Sequence, residues 1–283
     1  MYKLTIPLLL ISTLNAASHD NKLEIGFTTT SYNYTERDSQ DKILDTEKSD
    51  FFGIGGIYGS YEHKVLQYSK DTYNVDYYIE VYASATYGNT DYVGSLLSPA
   101  LSPAGRYGSY RSTTENTFYE FETNLKRAVS YEESTTYVLA GLGYKYWERK
   151  LSSIQKEEYY YFLVQIAIGA ETIIYKDWSL GIDLTGQVGI DPKMDAKFTG
   201  SSGSLNETYD LGPVYTYKIA APLTIPICKK LSFTTKLEYD FTSISKSNTI
   251  ITPSFTPCST SGCYEPDSQQ KNWNLYAGIQ LLF

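Results

Sequence analysis

Histidine is almost absent from this chain, with two residues in 283, His19 and His63. General-base chemistry near neutral pH usually recruits histidine, and neither residue is well placed for it. His19 adjoins an amino-terminal leader, and His63 closes a strand on the side away from the long loops. Basic residues are outnumbered, 24 Lys and Arg against 32 Asp and Glu, for a net charge of −8. No basic patch interrupts that balance, which argues against nucleic acid as a partner. Cysteine is scarce, at three residues. Long hydrophobic runs are missing too. Beyond the leader no apolar stretch reaches the ~18 residues a spanning helix requires, and no stretch holds a helical period.

The leader reads MYKLTIPLLLISTLNAAS, residues 1–18. One Lys, a short apolar run and a small-residue end give the layout of a secretory signal peptide. Cleavage is expected after Ala16, Ala17 or Ser18, which leaves a single domain over residues 19–283. No cysteine directly follows the leader, so a lipid anchor at the new amino terminus is not expected.

Tyrosine is abundant: 29 copies against 11 Phe and 3 Trp. Its ring suits strands, and its wet hydroxyl suits a water–lipid boundary. The rest of the chain alternates with a period of two. In WSLGIDLTGQVGID, Leu180, Ile182, Leu184, Val188 and Ile190 face away from Asp183, Thr185 and Gln187. In NWNLYAGIQLLF, Trp273, Leu275, Ala277, Ile279, Leu281 and Phe283 oppose Asn274, Tyr276 and Gln280. Left unpaired, that last strand would be a long apolar edge, an aggregation hazard. Paired on both sides, with its apolar face in lipid, it is stable. A mean hydropathy of −0.32 does not count against this, because alternation hides a barrel wall from averages.

The period predicts ten strands, near 22–36, 50–63, 73–90, 114–127, 135–149, 157–175, 178–192, 208–228, 231–246 and 272–283. Their connections alternate long and short, so residues 91–113, 193–207 and 247–271 share one side with the segment near 38–50. The short turns and both termini share the other. Tyr58, Tyr87, Tyr146, Trp178, Tyr215 and Trp273, near strand ends, are expected in two aromatic girdles.

With leader, strands and carboxyl-terminal aromatic taken together, the chain resembles a small bacterial outer-membrane β-barrel. The resemblance implies an all-β fold, a single closed antiparallel transmembrane barrel of about ten strands, with eight or twelve as fallback counts. It also implies a Gram-negative-type outer membrane and contact with lipid and lipopolysaccharide; separately, no cofactor is expected. In that class the barrel-assembly machinery recognises the terminal strand, here through Trp273, Tyr276 and Phe283.

The face opposite lipid then lines a narrow lumen. Asp76, Glu80, Glu120, Glu122, Lys126, Lys145, Glu171, Asp183, Lys218, Lys236, Glu238 and Asp240 fall there, together with Glu24 and Arg149. These charges read first as structural ion pairs in a structural or surface-recognition barrel. The alternative is a small cation-preferring channel, since acidic excess favours cations. A barrel hydrolase is the weaker alternative. Ten-stranded proteases of the class use paired acids and an Asp–His pair at the outer rim, which these two histidines cannot supply.

Three loop segments remain. DSQDKILDTEKSD, residues 38–50, is acidic but lacks calcium-loop spacing and reads as a solvated, lipopolysaccharide-exposed loop. Residues 96–105, LLSPALSPAG, and 200–208, GSSGSLNET, read as loop tips. PCSTSGC near the carboxyl end suits a Cys258–Cys263 disulfide in a surface loop. Cys228, beside a short turn at the far end of the barrel, is left as a free thiol.

Overall fold

In the computed structural model, residues 20–70, 72–94, 107–200, 203–254, 258–260 and 262–283 are described. The expected leader and residues 96–105 lie outside them. The alternating segments form thirteen strands: β1 (Asn21–Ser31), β2 (Asn33–Arg37), β3 (Ile43–Lys48), β4 (Ile54–Lys70), β5 (Tyr73–Gly94), β6 (Tyr110–Tyr131) and β7 (Ser134–Lys150). The others are β8 (Gln155–Tyr175), β9 (Trp178–Gly200), β10 (Gly203–Asp210), β11 (Val214–Cys228), β12 (Leu231–Ile244) and β13 (Asp267–Leu282).

Ten of these close an antiparallel ring in the order β1, β4, β5, β6, β7, β8, β9, β11, β12, β13 and back to β1. Closure runs from Lys22↔Leu282 to Ser31↔Trp273. On its other side β13 pairs with β12, from Leu231↔Leu281 to Ile244↔Ser268. The apolar terminal strand therefore has no free edge, and every strand in the wall is paired on both sides. The expected ten-stranded barrel is the observed fold.

Alternation decides which side chains point out. Ile25, Phe27, Ile57, Leu125, Leu142, Phe162, Ile166, Ile182, Leu237 and Leu275 form an exposed apolar band around the wall. Tyr87, Tyr146, Trp178, Tyr215 and Trp273 stand on its outward face. Tyr119 and Tyr146 lie 6.0 Å apart at one rim, and Tyr175 and Trp178 lie 6.0 Å apart at the other. Tyr58 is a correction: it is buried in the lumen and donates to Glu24 at 2.7 Å. Its ring covers Gly26 and Gly278, where a Cβ would meet Tyr58 atoms at 2.6 and 2.5 Å.

One end of the ring is closed by tight turns. β4 stops at Lys70 and β5 starts at Tyr73, so residues 64–70 belong to the wall rather than to a nine-residue turn. The turn expected over 128–134 likewise shrinks to residues 132–133. At residues 176–177, Lys176 and Asp177 adopt φ of 43° and 68°, the type I′ geometry that follows strand twist.

At the other end the wall continues past the apolar band as a collar. β2 and β3 extend β1 and β4, pairing with β13 and β5, and β10 folds back on β9. The β8–β9 register shifts between Tyr160 and Phe162, where collar and ring meet. Asp191, at φ 51°, precedes Pro192, whose carbonyl accepts from Leu211 N at 2.9 Å. Gly212 N donates to Ser245 O at 3.1 Å, and Ser49 N to Tyr32 O at 2.9 Å. Much of what sequence read as loop is strand here: β5 runs to Gly94, and β9 and β10 occupy most of 193–207. Segment 38–50 is corrected most. Its middle forms β3, and Asp45 and Glu47 are buried, while Asp41 and Asp50 remain exposed.

Candidate functional site

Within the ring, inward side chains meet across the lumen. Glu120 is shared by Lys218 at 3.1 Å and Lys145 at 3.2 Å. Beside it, Glu122 accepts from Gln165 at 2.8 Å and Gln187 at 3.0 Å, and Gln165 also donates to Asn124 at 2.6 Å. These groups come from β6, β7, β8, β9 and β11, so the layer braces much of the circumference. Lys236 pairs with Glu238 at 3.2 Å, and toward the loop end Asp240 accepts from Asn274 at 2.7 Å and Asn272 at 3.0 Å.

Toward the turns, Lys126 pairs with Glu62 at 2.7 Å, and Asn124 donates to Glu80 at 3.1 Å. Asp183 accepts a short bond from Tyr137, and Asp76 pairs with Lys64 at 3.6 Å. Glu171 lines the lumen but stands exposed near the turn end. The lumen is thus divided. A cavity of about 130 Å³ lies beneath the collar and one of about 250 Å³ lies toward the turns, with Tyr82, Lys218, Glu238 and Tyr276 lining both.

The collar holds the most concentrated chemistry. Arg149, near the end of β7, is 1% exposed. Its Nε donates to Glu47 Oε1 at 2.7 Å, and its Nη1 donates at 2.8 Å to both Glu36 Oε1 and Glu157 Oε2. Asp45 stands 3.5 Å from Nη2. Glu47, fully buried, accepts two further bonds, from Thr90 at 2.8 Å and Asn116 at 3.1 Å. A fifth carboxyl, Glu265, accepts from Tyr159 at 2.5 Å, and Tyr159 also donates to Glu157 at 3.2 Å. Arg149 Nη2 and Asp45 Oδ1 are buried without a hydrogen-bond partner.

Aromatic rings support the guanidinium. Its carbon sits 4.3 Å from the Tyr34 ring centroid and 5.6 Å from that of Trp147. Trp147 stacks on Tyr159 at 4.4 Å and on Phe118 at 5.7 Å, and its Nε1 donates to Asn116 at 2.8 Å. Met194, Tyr209, Leu211, Val214 and Ile244 pack around this group as the buried core of the molecule. Residues 245–254 and 262–266 fold against it. Ile250 bonds in both directions with Cys263 at 2.8 Å, and both residues pack on the core. Cys258 and Cys263 are disulfide-bonded, with Cα atoms 4.9 Å apart, and Cys228 is a free, exposed thiol.

The collar lies beyond the apolar band, since the outward positions flanking Arg149 are Glu148 and Lys150, above Tyr146. Burial raises Asp45 well above the usual carboxylate range, with the neighbouring Glu36 charge adding to it. Burial also raises Glu157, and Arg149 opposes that shift. Glu265 is raised well above its ordinary value by burial and by Glu36 and Glu157. Burial likewise pushes the Tyr34 and Tyr159 hydroxyls up. Burial disfavours the Arg149 cation, but Glu47, Tyr34, Glu157 and Glu36 more than offset it, and its affinity for a proton rises.

Sequence reasoning brought Arg149 to the inward face and missed its partners. Glu36 sits where the alternation continues past β1, so its inward parity could have been found. Asp45, Glu47 and Glu265 sit in segments that read as solvated loops, and nothing local signals their burial. Among the described residues no His, Cys, Asp and Glu group is arranged to hold a metal ion.

No family model matches the chain, and no curated protein matches its sequence. Solved structures do resemble it. Outer membrane protease OmpT from Escherichia coli matches with a TM-score of 0.62 at 12% identity, covering 96% of this chain and 99% of that one. The β domain of the Bordetella autotransporter BrkA matches at TM-score 0.41 and 9% identity, over 93% of this chain and 100% of that one. The attachment invasion locus protein Ail of Yersinia pestis matches at TM-score 0.28 and 10% identity, over 92% and 97%. The first likeness gives the fold class: this chain has the fold of bacterial outer-membrane β-barrels.

Proposed function

We propose that the chain is a surface-recognition barrel of a bacterial outer membrane, with its collar outside the cell and its lumen serving as a structural brace. On this reading residues 1–18 export the chain. The barrel-assembly machinery takes the terminal strand through Trp273, Tyr276 and Phe283, and the apolar band meets lipid and lipopolysaccharide. The observation that carries the reading is the filled collar. Trp147 is stacked with Phe118 and Tyr159, and the Arg149 cluster, Ile250 and Cys263 pack beside it. A conduit needs a continuous water path, whereas these side chains build a rigid base for outer loops. Catalysis is not part of the proposal. His63 lies at the turn end, its Nδ1 2.7 Å from Asn21 Oδ1, far from the collar carboxyls.

Planar-bilayer recording on refolded protein, checked by a heat-modifiability gel, tests this reading. A folded barrel that leaves the bilayer silent is expected. Reproducible cation-selective unitary steps would replace the recognition reading with the channel one.

A further inference from the structure

Five carboxyls converge on one guanidinium inside the collar, and they come from four separate pieces of chain. β2 supplies Glu36, β3 supplies Asp45 and Glu47, β8 supplies Glu157, and segment 245–266 supplies Glu265. All five are buried. Arg149 holds three of them by direct hydrogen bonds, so the cluster carries more acid than its cation can neutralise. Other ionisable groups packed nearby do not supply the missing charge. They are phenols, Tyr32 just before β2, Tyr34 on β2, Tyr92 on β5, Tyr159 on β8 and Tyr209 on β10, together with the acids Glu207 on β10 and Asp240 on β12.

We propose that this cluster is a pH-sensitive lock on the collar, holding the β2–β3 hairpin and residues 245–254 and 262–266 down while it retains protons and loosening them as those protons leave. Two observations carry the argument. The first is the geometry just given: acids from four separate pieces of chain face each other across one cation held on β7. The second is the mismatch at its centre, where Asp45 Oδ1 and Arg149 Nη2 are buried without hydrogen-bond partners. A carboxyl in that position is cheaper to bury protonated than ionised.

The sign follows from linkage. Asp45, Glu157 and Glu265 have pKa values raised in the closed collar. An opened, hydrated collar returns them to the ordinary carboxylate range. The closed form then binds more protons. Its advantage is complete below the ordinary carboxylate pKa of about 4 and declines as pH rises through the raised values. Opening leaves the ring intact, because ring pairing such as Lys22↔Leu282 and Leu231↔Leu281 involves none of these side chains. The lock is independent of what the collar recognises.

Hydrogen exchange read by mass spectrometry on the refolded full chain, at steps from pH 5 to pH 9 and corrected for intrinsic rates, tests the lock. Peptides over 33–48 and 245–254 should gain about tenfold or more in corrected exchange across that range, while β8–β9 peptides below the collar stay level. In the Asp45→Asn/Glu265→Gln double variant the dependence should flatten. A collar whose corrected exchange ignores pH in the wild type overturns the proposal, as does a pH dependence that survives in a folded double variant. If the double variant fails a heat-modifiability check, Glu265→Gln alone takes its place with the same two outcomes.

Discussion

Arg149 and Glu47 stand 102 residues apart in sequence, yet Arg149 Nε lies 2.7 Å from Glu47 Oε1 with both side chains out of reach of water. The pair ties the second strand of the collar hairpin to the end of β7, across intervening wall strands. Because both partners are buried, removing one leaves the other with its full desolvation cost.

Arg149→Met should therefore destabilise the collar by about 3–5 kcal/mol. The loss should register as faster exchange over β2 and β3, with the ring still heat-modifiable. Arg149→Lys should rescue poorly, because an ammonium cannot reproduce the guanidinium fork that reaches Glu36, Glu47 and Glu157 together.

Trp147 is the central ring of the stack. Trp147→Ala should cost about 3–5 kcal/mol in urea unfolding of the refolded barrel, from lost burial and the cavity left behind. Trp147→Phe should recover much of that while still leaving Asn116 Oδ1 without its indole donor.

Gly26 and Gly278 face each other across the closing seam, beneath the Tyr58 ring. A side chain at either position must displace that ring or the backbone. Gly26→Val should lower stability by about 1–3 kcal/mol through overpacking and should break the Tyr58–Glu24 hydrogen bond. Intact ring closure, seen as unchanged heat modifiability at low temperature, would separate this local strain from misfolding.

Reduction of Cys258–Cys263 should leave the ring unfolding transition unchanged. So short a closed loop limits the entropic gain to about 2 kcal/mol, and both cysteines lie between β12 and β13, outside the ring strands. Exchange in peptides from 245–254 should increase, because Thr252 N donates to Cys258 O at 3.2 Å.

The wall was legible wherever one face carried all the apolar residues. β9 and β13 are of that kind, and their inward and outward sets match the sequence pattern. β4 was not, because IGGIYGSY places Ile54 and Ile57 on opposite faces. Ile54 is buried under the collar core and Ile57 is exposed, so parity alone could not assign Tyr58. Acidic β3 was hidden for a different reason. Burial of Asp45 and Glu47 depends on a single cation from β7, and no local signal in DSQDKILDTEKSD anticipates a partner that distant. Strand ends in the collar were missed because alternation weakens where the outside is water rather than lipid. There the outward positions are as charged as Glu148, Lys156 and Glu158.

Pairing Lys22 with Leu282 has a consequence for how the molecule forms. The seam joins the first and last strands of the described chain, whereas most other wall contacts lie between sequence neighbours. Hairpins can zip locally, but the final seam must wait for the longest excursion of chain to be brought together. Until then a growing sheet carries two open edges at once, β1 and β13, each able to capture a foreign strand. Both edges disappear in the same event, because pairing β1 with β13 is what seals the ring.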